Sequence, residues 1–191
     1  AHDGTGPLAD SVSKQVQVMR RQVDHYLARA RTVASASVIG ARCEVAPVLA
    51  DLTRALTKIY DAQGIELEKH CAEGLTFRGD RADLEEMVGN LLDNACKWAE
   101  SRVKITATQG AQPGRLRILV VDDGPGLSEE QKQRVLERGE RMDESKPGSG
   151  LGLGIVKEIS ALYGGTFSLD RAPEGGLQVT LDLPSTERGP A

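Results

Sequence analysis

Apolar residues recur at Ala9, Val12, Val16, Met19, Val23, Tyr26, Ala30 and Val33, in alternating steps of three and four. That is a heptad seam sustained over more than three heptads, with Lys14, Arg20, Arg21, Asp24 and Arg29 off it, and it predicts a long helix over residues 8–36. One helix cannot bury such a stripe alone, so the pattern calls for a partner helix from this chain or another. The polar, small-residue stretch TVASASVIGARCE (32–44) reads as a linker. A second helical period follows in PVLADLTRALTKIYDAQG (47–64), with Pro47 in its first turn, Gly64 at its end and Val48, Leu52, Ala55, Leu56 and Ile59 as its apolar face.

The period then shortens. IELEKH and LTFRGD read as short strands, and RVKITAT (102–108) and RLRILVVDD (115–123) as strands joined through the turn signal GAQPG. Between these pairs, Asp80 is placed to cap a helix over roughly 81–99. SEEQKQRVLERG and LGLGIVKEISALYGG are helical, separated by the glycine- and proline-bearing loop ERMDESKPGSG, and GTFSLDRAPEGGLQVTLDL closes as a hairpin. Strands and helices mix without a regular βαβ repeat. The expected class is α+β, a two-layer α/β sandwich with helices on one sheet face, preceded by the heptad helix.

Composition narrows the function classes. A net charge of −4 argues against a general nucleic-acid binder, so any anion must be held by locally placed cations and backbone N–H groups. The longest apolar runs, such as LRILVV (116–121), are far too short to span a bilayer, and no signal-peptide pattern is visible at the start. Cys43, Cys71 and Cys96 form no CxxC pair and are odd in number, which favours reduced thiols over zinc or a disulfide framework.

Three stretches carry candidate chemistry. In NLLDNACKW (90–98), Asn90, Asn94 and Lys97 follow Glu86 at steps of four, four and three, one polar stripe beside the apolar Met87, Leu91, Leu92 and Ala95. Oxygen donors next to an ammonium suit a magnesium–phosphate complex, and the same spacing also fits a solvated helix face. In VVDDGPGL (120–127) a strand runs into an acidic pair and Gly-Pro-Gly. A carboxylate there can accept a hydrogen bond from an exocyclic amine such as that of adenine, while the glycines let the backbone pass close to a flat ring. An ordinary acidic turn gives the same string. In GSGLGLGIVKEI (148–159), Gly148, Gly150, Gly152 and Gly154 lead into a helix whose first-turn N–H groups suit phosphate. It is neither a Rossmann fingerprint nor a P-loop.

In this order, the three motifs resemble the N box and the two glycine boxes of the ATP-binding domain of sensor histidine kinases, within the GHKL (HATPase) superfamily. The resemblance covers roughly residues 45–184, and KIYDAQGIELE, NLLDNACKW, DDGPG and LERGERMD are closest to the PhoQ-type subgroup. It implies a Bergerat-type ATP-binding fold at residues 45–191. Residues 1–44 would be the second helix of a dimerisation and histidine-phosphotransfer hairpin plus linker. Asn90 and Asn94 would face magnesium and the phosphates, and Lys97 would pair with phosphate oxygens. Trp98 would lie near the nucleotide or in the core. Asp122, Gly124 and Gly126 would be the adenine-reading D-x-G-x-G, with Asp123 at a tolerant polar position. Residues 127–149 would form a lid whose Arg138 and Arg141 reach phosphate or remain solvated. Gly148, Ser149, Gly150, Leu151 and Gly152 would line the phosphates. The phenylalanine box is degenerate, with Leu136 and Gly139 where many relatives have aromatics.

The family's H box sets a histidine beside an acidic residue on the first hairpin helix, followed shortly by Thr-Pro. His25 has the acidic neighbour but lies deep in the heptad helix without Thr-Pro, His2 has no helix-length segment between it and that helix, and His70 lies beside a strand. No residue is therefore assigned as phosphoacceptor, and the first hairpin helix is not recognised. The implied protein is a two-component histidine kinase, an ATP-dependent phosphotransferase using ATP and magnesium. It would dimerise through the hairpin and pass phosphate to a response-regulator receiver domain. These residues would be the cytoplasmic portion of an inner-membrane sensor, without membrane or nucleic-acid contact of their own, and would not autophosphorylate alone. The alternatives are a non-catalytic nucleotide-binding or dimerisation module and a GHKL protein serine kinase.

Overall fold

The structure is a computed structural model that describes residues 41–138, 152–173 and 175–186. For residues 136–138 the description covers the backbone alone. The heptad helix, most of the linker, His2 and His25, residues 139–149 of the lid, and Gly148 and Gly150 lie outside the described residues. All described residues fall within one compact unit.

The chain enters through β1 (Cys43–Glu44), which pairs antiparallel with β3 (Thr76–Phe77). These last residues of the predicted linker are thus a strand. Helix α1 (Val45–Tyr60) ends in a 3-10 turn over Asp61–Gln63 and stops at Gly64, whose φ of 69° is the left-handed conformation a side chain resists. Its buried face is Val45, Val48, Leu49, Thr53, Leu56 and Tyr60, with Leu52 partly buried. Ala55 and Ile59, expected on that face, are exposed instead, Ile59 by 65%. The inward row runs 48, 52, 56, 60 in steps of four, and burying the Tyr60 ring turns its neighbour Ile59 outward.

Helix α2 (Arg81–Trp98) starts where Asp80 accepts a hydrogen bond from Ala82 N at 2.7 Å, as the sequence predicted. One side buries Leu84, Met87, Val88, Leu91, Leu92, Ala95 and Cys96. The five-stranded sheet has the order β2 (Glu66–Cys71), β4 (Arg102–Gln109), β5 (Arg115–Asp122), β7 (Leu177–Pro184), β6 (Thr166–Arg171). Only β2 and β4 are parallel, and α2 lies in the crossover between them. Alternate residues of β4, β5 and β7 are buried, among them Val103, Ile105, Ala107, Leu116, Ile118, Val120, Val179 and Leu181. Helix α1 lies against β2, α2 against β4 and β5, and α4 (Gly152–Leu162) against β6, which gives the expected two layers.

Helix α3 (Glu129–Arg138) opens with a capping box. Gln131 N donates to Ser128 Oγ at 3.2 Å, and Ser128 N donates to Gln131 Oε1 at 2.7 Å. All three cysteines are free, and burial raises each thiol's pKa, that of Cys96 to about 11.

Candidate nucleotide site

Two helices and one strand end build the site. Asn90 lies opposite Gly152, whose hypothetical Cβ would stand 3.1 Å from Asn90 Oδ1. Seven residues earlier on α2, Asp83 meets Tyr163, just beyond the end of α4. The Tyr163 hydroxyl donates to Asp83 Oδ2 and accepts from Asp80 N at 3.3 Å. Its ring meets Phe77 edge-on, centroids 4.9 Å apart. Rising numbers on α2 thus match falling numbers on α4, so the helices run antiparallel, and the glycine-rich start of α4 faces the middle of the N-box helix.

Glu86, Asn90, Asn94 and Lys97 are all half-buried along one side of α2, as their spacing predicts. Asn90 Nδ2 donates to the Glu86 carbonyl at 2.8 Å, which turns the amide and leaves Oδ1 toward Gly152. Lys97 is ion-paired with Asp93 on the preceding turn. Asp93 also accepts from the Tyr60 hydroxyl at 2.8 Å, which links α1 to this stripe. Burial and then the Asp93 bond raise the Tyr60 pKa, so the hydroxyl stays a donor.

Asp122 closes β5 at 3% exposure. Its Oδ1 accepts from Gly124 N at 3.0 Å and from Leu177 N at 3.2 Å. Among the described residues no hydrogen bond falls on Oδ2. Burial raises the Asp122 pKa, and the two backbone donors offset part of the rise. Asp123, next along, faces the other way. It accepts from Glu100 N, Ser101 N, Ser101 Oγ and Arg102 N at 2.6–3.1 Å. Desolvation would raise its pKa, but these bonds outweigh it and hold the carboxyl far below its ordinary range.

The glycines here serve chain crossings. A Cβ on Gly124 would fall 2.2 Å from Trp98 O, and one on Gly126 2.8 Å from Gly176 O. Gly176, with φ of 83°, would place a Cβ 1.9 Å from Asp122 O. The sequence reading gave Gly124 and Gly126 the task of approaching a ring. The structure shows them making room for backbone, with Gly176 as an unforeseen third member. Trp98 ends α2 at this crossing, so the Asp122 corner and α2 share one junction.

Asn90, Asn94, Lys97, Trp98, Asp122, Gly124, Gly126 and Gly152 are thus gathered around α2 and the end of β5. The side chains of Arg138 and Leu136, and Gly139, Arg141, Gly148, Ser149, Gly150 and Leu151 altogether, lie outside the described residues. His70 is exposed on β2, paired in register with Thr106, away from this junction. Sequence reasoning missed Asp93, Tyr60, Asp83, Tyr163 and Gly176. Asp93 alone carried a signal, sitting four residues before Lys97 inside the N box.

The site is thus a corner with a buried carboxylate edge beside a half-exposed row of amides and an ammonium. The family model of the histidine kinase-, DNA gyrase B- and HSP90-like ATPases matches residues 79–187, from the cap of α2 through β7. The chain belongs to this family, whose domain binds ATP, and its ATPase domain is that of a sensor histidine kinase.

Among curated relatives, sensor protein kinase CarS of Pseudomonas aeruginosa is 42% identical over 184 residues, 96% of this chain and 40% of that protein. Sensor protein PhoQ of Escherichia coli is 34% identical over 166 residues, 87% of this chain and 34% of that protein. The chain therefore spans well under half the length of these relatives. The solved mycobacterial sensor histidine kinase MprB matches with a TM-score of 0.65 at 30% identity, over 77% of this chain and 98% of that one. Among the described residues no helix is long and apolar enough to cross a membrane.

Proposed function

We propose that this domain binds ATP with magnesium and that the whole protein transfers the γ-phosphoryl group to a histidine, for relay to a response-regulator receiver domain. The observation that carries the reading is the Asp122 carboxylate. Both of its backbone bonds fall on one oxygen, which fixes the group and aims the chemistry of recognition at the other. A buried acceptor held this way suits the exocyclic amine of adenine. The row Asn90, Asn94 and Lys97 then receives the phosphate end, Asn90 and Asn94 toward magnesium and Lys97 toward phosphate oxygens. Gly152 fits this use, because any side chain there would crowd Asn90 Oδ1.

Bound magnesium supplies charge neutralisation on the phosphate oxygens. The chain itself orients the base through Asp122, keeps the crossing narrow through Gly124 and Gly126, and brings Lys97 to the phosphates. Trp98 would in this reading border the nucleotide, residues 148–151 would offer N–H groups, and Arg138 and Arg141 would serve as phosphate cations. In this reading residues 1–44 supply the hairpin's second helix and linker, through which the protein dimerises, and residues 45–191 the ATP-binding domain, on the cytoplasmic side of a membrane sensor. The heptad seam favours this over a serine kinase, which needs no hairpin.

Calorimetric titration of wild type and Asn94→Ala with Mg-ADP and a non-hydrolysable ATP analogue tests it. The variant is expected to fold cooperatively and to lose magnesium-dependent affinity. Equal affinities in two folded proteins overturn the magnesium assignment.

A further inference from the structure

The row Tyr60–Asp93–Lys97 crosses from α1 to the N-box helix, and the family reading gives Asp93 and Tyr60 no task. Asp93 divides its two oxygens. Oδ1 accepts from the Tyr60 hydroxyl at 2.8 Å, while Oδ2 pairs with Lys97 Nζ. Tyr60 is 6% exposed at the end of α1, so its hydroxyl is set by core packing. The Lys97 side chain is 25% exposed and that of Asp93 42%, so the pair sits at the edge of solvent, where a surface ion pair contributes little to stability. A flexible lysine nonetheless loses rotamer freedom when it engages a ligand, and a prior partner removes part of that cost. An ammonium carries three donors, so a bond to Asp93 is compatible with bonds to phosphate oxygens.

We infer that Asp93 is a positioning residue that holds Lys97 extended along the N-box face for the nucleotide phosphates, and that Tyr60 fixes the Asp93 carboxylate from α1. The inference deepens the proposed function and rests on its reading of Lys97 as a phosphate cation. It makes α1, outside the sequence motifs, a contributor to the phosphate side of the site. Two features of the site support it. The two hydrogen bonds of Asp93 use different oxygens, so Tyr60 fixes the rotation that presents Oδ2 to Lys97. Lys97 also lies three residues from Asn94 on the same helix face, so where its ammonium is held decides whether amide and ammonium act together.

The test uses Trp98, the only tryptophan in the chain, as a fluorescence reporter beside calorimetry. Affinities for ADP, a non-hydrolysable ATP analogue and adenosine are measured with magnesium for wild type, Asp93→Ala, Tyr60→Phe and Lys97→Ala, and for each of the first two variants combined with Lys97→Ala. Asp93→Ala is expected to weaken ADP and the analogue about three- to tenfold, with adenosine unchanged. Tyr60→Phe is expected to do the same to a smaller degree. Both effects are expected to vanish in the Lys97→Ala background, a coupling that a merely structural role would not produce.

Equal losses for adenosine and ADP would make Asp93 a structural residue and overturn the inference. Tighter ADP binding by Asp93→Ala would make it a competitor for Lys97, which also overturns it. A Lys97→Ala loss with none for Asp93→Ala overturns this inference alone. Lys97→Ala binding ADP as tightly as wild type overturns the phosphate reading with it. Should Asp93→Ala fail to unfold cooperatively, Tyr60→Phe, which keeps the buried ring, decides on the same readouts.

Discussion

The Asp122 corner, proposed for the base, and the Asn90–Lys97 row, proposed for the phosphates, meet near Trp98 at the end of α2, and they are made in different ways. At the corner, backbone does the holding. Asp122 is fixed by Gly124 N and Leu177 N, and three glycines let chain segments pass at distances no side chain tolerates. Along the row, the parts that are held are rotatable side chains: Asn90 Nδ2 donates to the Glu86 backbone carbonyl, and Lys97 pairs with the Asp93 carboxylate. Backbone donors cannot be re-aimed without moving the fold, whereas a rotatable side chain can exchange its partner for ligand atoms. In the proposed reading the corner is therefore set before a ligand arrives, and the row is completed by it. A base, flat and chemically fixed, suits the first kind of surface. A flexible phosphate chain with its cation suits the second.

The strongest way to break this contrast is to place one alanine on each side. Gly176→Ala forces a left-handed φ on a residue with a Cβ, 1.9 Å from Asp122 O, and is expected to lower unfolding free energy by about 3 kcal/mol or more in urea titration. Asn94→Ala, on the half-exposed row, is expected to change stability by well under about 1 kcal/mol while removing magnesium-dependent binding. Similar stability losses for both would dissolve the distinction.

A smaller effect concerns selectivity. Asp122→Ala leaves the adenine amine unpaired and is expected to weaken ATP by about 1–3 kcal/mol and abolish its preference over GTP. Wild-type affinity for GTP equal to that for ATP contradicts the base assignment.

The adjacent carboxylates sharpen the contrast through pH. The Asp123 pKa is depressed on folding, so its stabilisation is present above the unfolded carboxylate value of about 3.9 and is lost as pH falls. The Asp122 pKa is raised, so its contribution is present below about 3.9 and lost as pH rises through the folded value. Asp123→Asn is expected to cost about 1–2 kcal/mol at about pH 6, allowing for solvent screening, and less at about pH 3. Asp122→Asn, which keeps the Oδ1 acceptor, is expected to gain on wild type as pH rises over the same interval. Parallel pH profiles for the two variants would show that the neighbours do not differ in kind.

The smallest effect is a gain. Gly89 lies inside α2, where a Cβ would meet only Leu52 at 3.7 Å among the described residues. Gly89→Ala is expected to stabilise the fold by about 0.5–1 kcal/mol without touching nucleotide affinity.

Much of the fold was legible because its elements carry their own signals. The cap at Asp80, the alternation in β4 and β5 and the turn at GAQPG are local, and local chemistry writes itself into neighbouring residues. The N-box stripe was legible for the same reason, since helical spacing places Asn90, Asn94 and Lys97 together. Gly176 was not, because its role is set by Asp122, fifty-four residues earlier, and APEGGLQ is indistinguishable from any hairpin turn. Tyr60 and Tyr163 were hidden likewise. Each looks like an ordinary aromatic near a helix end, and only packing reveals which carboxylate receives its hydroxyl. Ala55 and Ile59 were misplaced because a five-residue apolar stripe leaves its centre uncertain by tens of degrees, enough to turn its margin outward.

The two-residue ladder at Cys43–Glu44 has a mechanical consequence. It pairs with Thr76–Phe77, and that strand is tied in turn to the last described residues, with Phe77 bridged to Ser185 and Thr76 hydrogen-bonded to Thr186. Tension on the chain upstream of Cys43 is met by this short clasp before it reaches the five-stranded sheet. Its rungs are few and can open in turn, so a pull from that side would unzip a fringe while Asp122 and the N-box helix keep their registry. The domain has a built-in fuse between whatever tugs on it and the crossing where the base would lie.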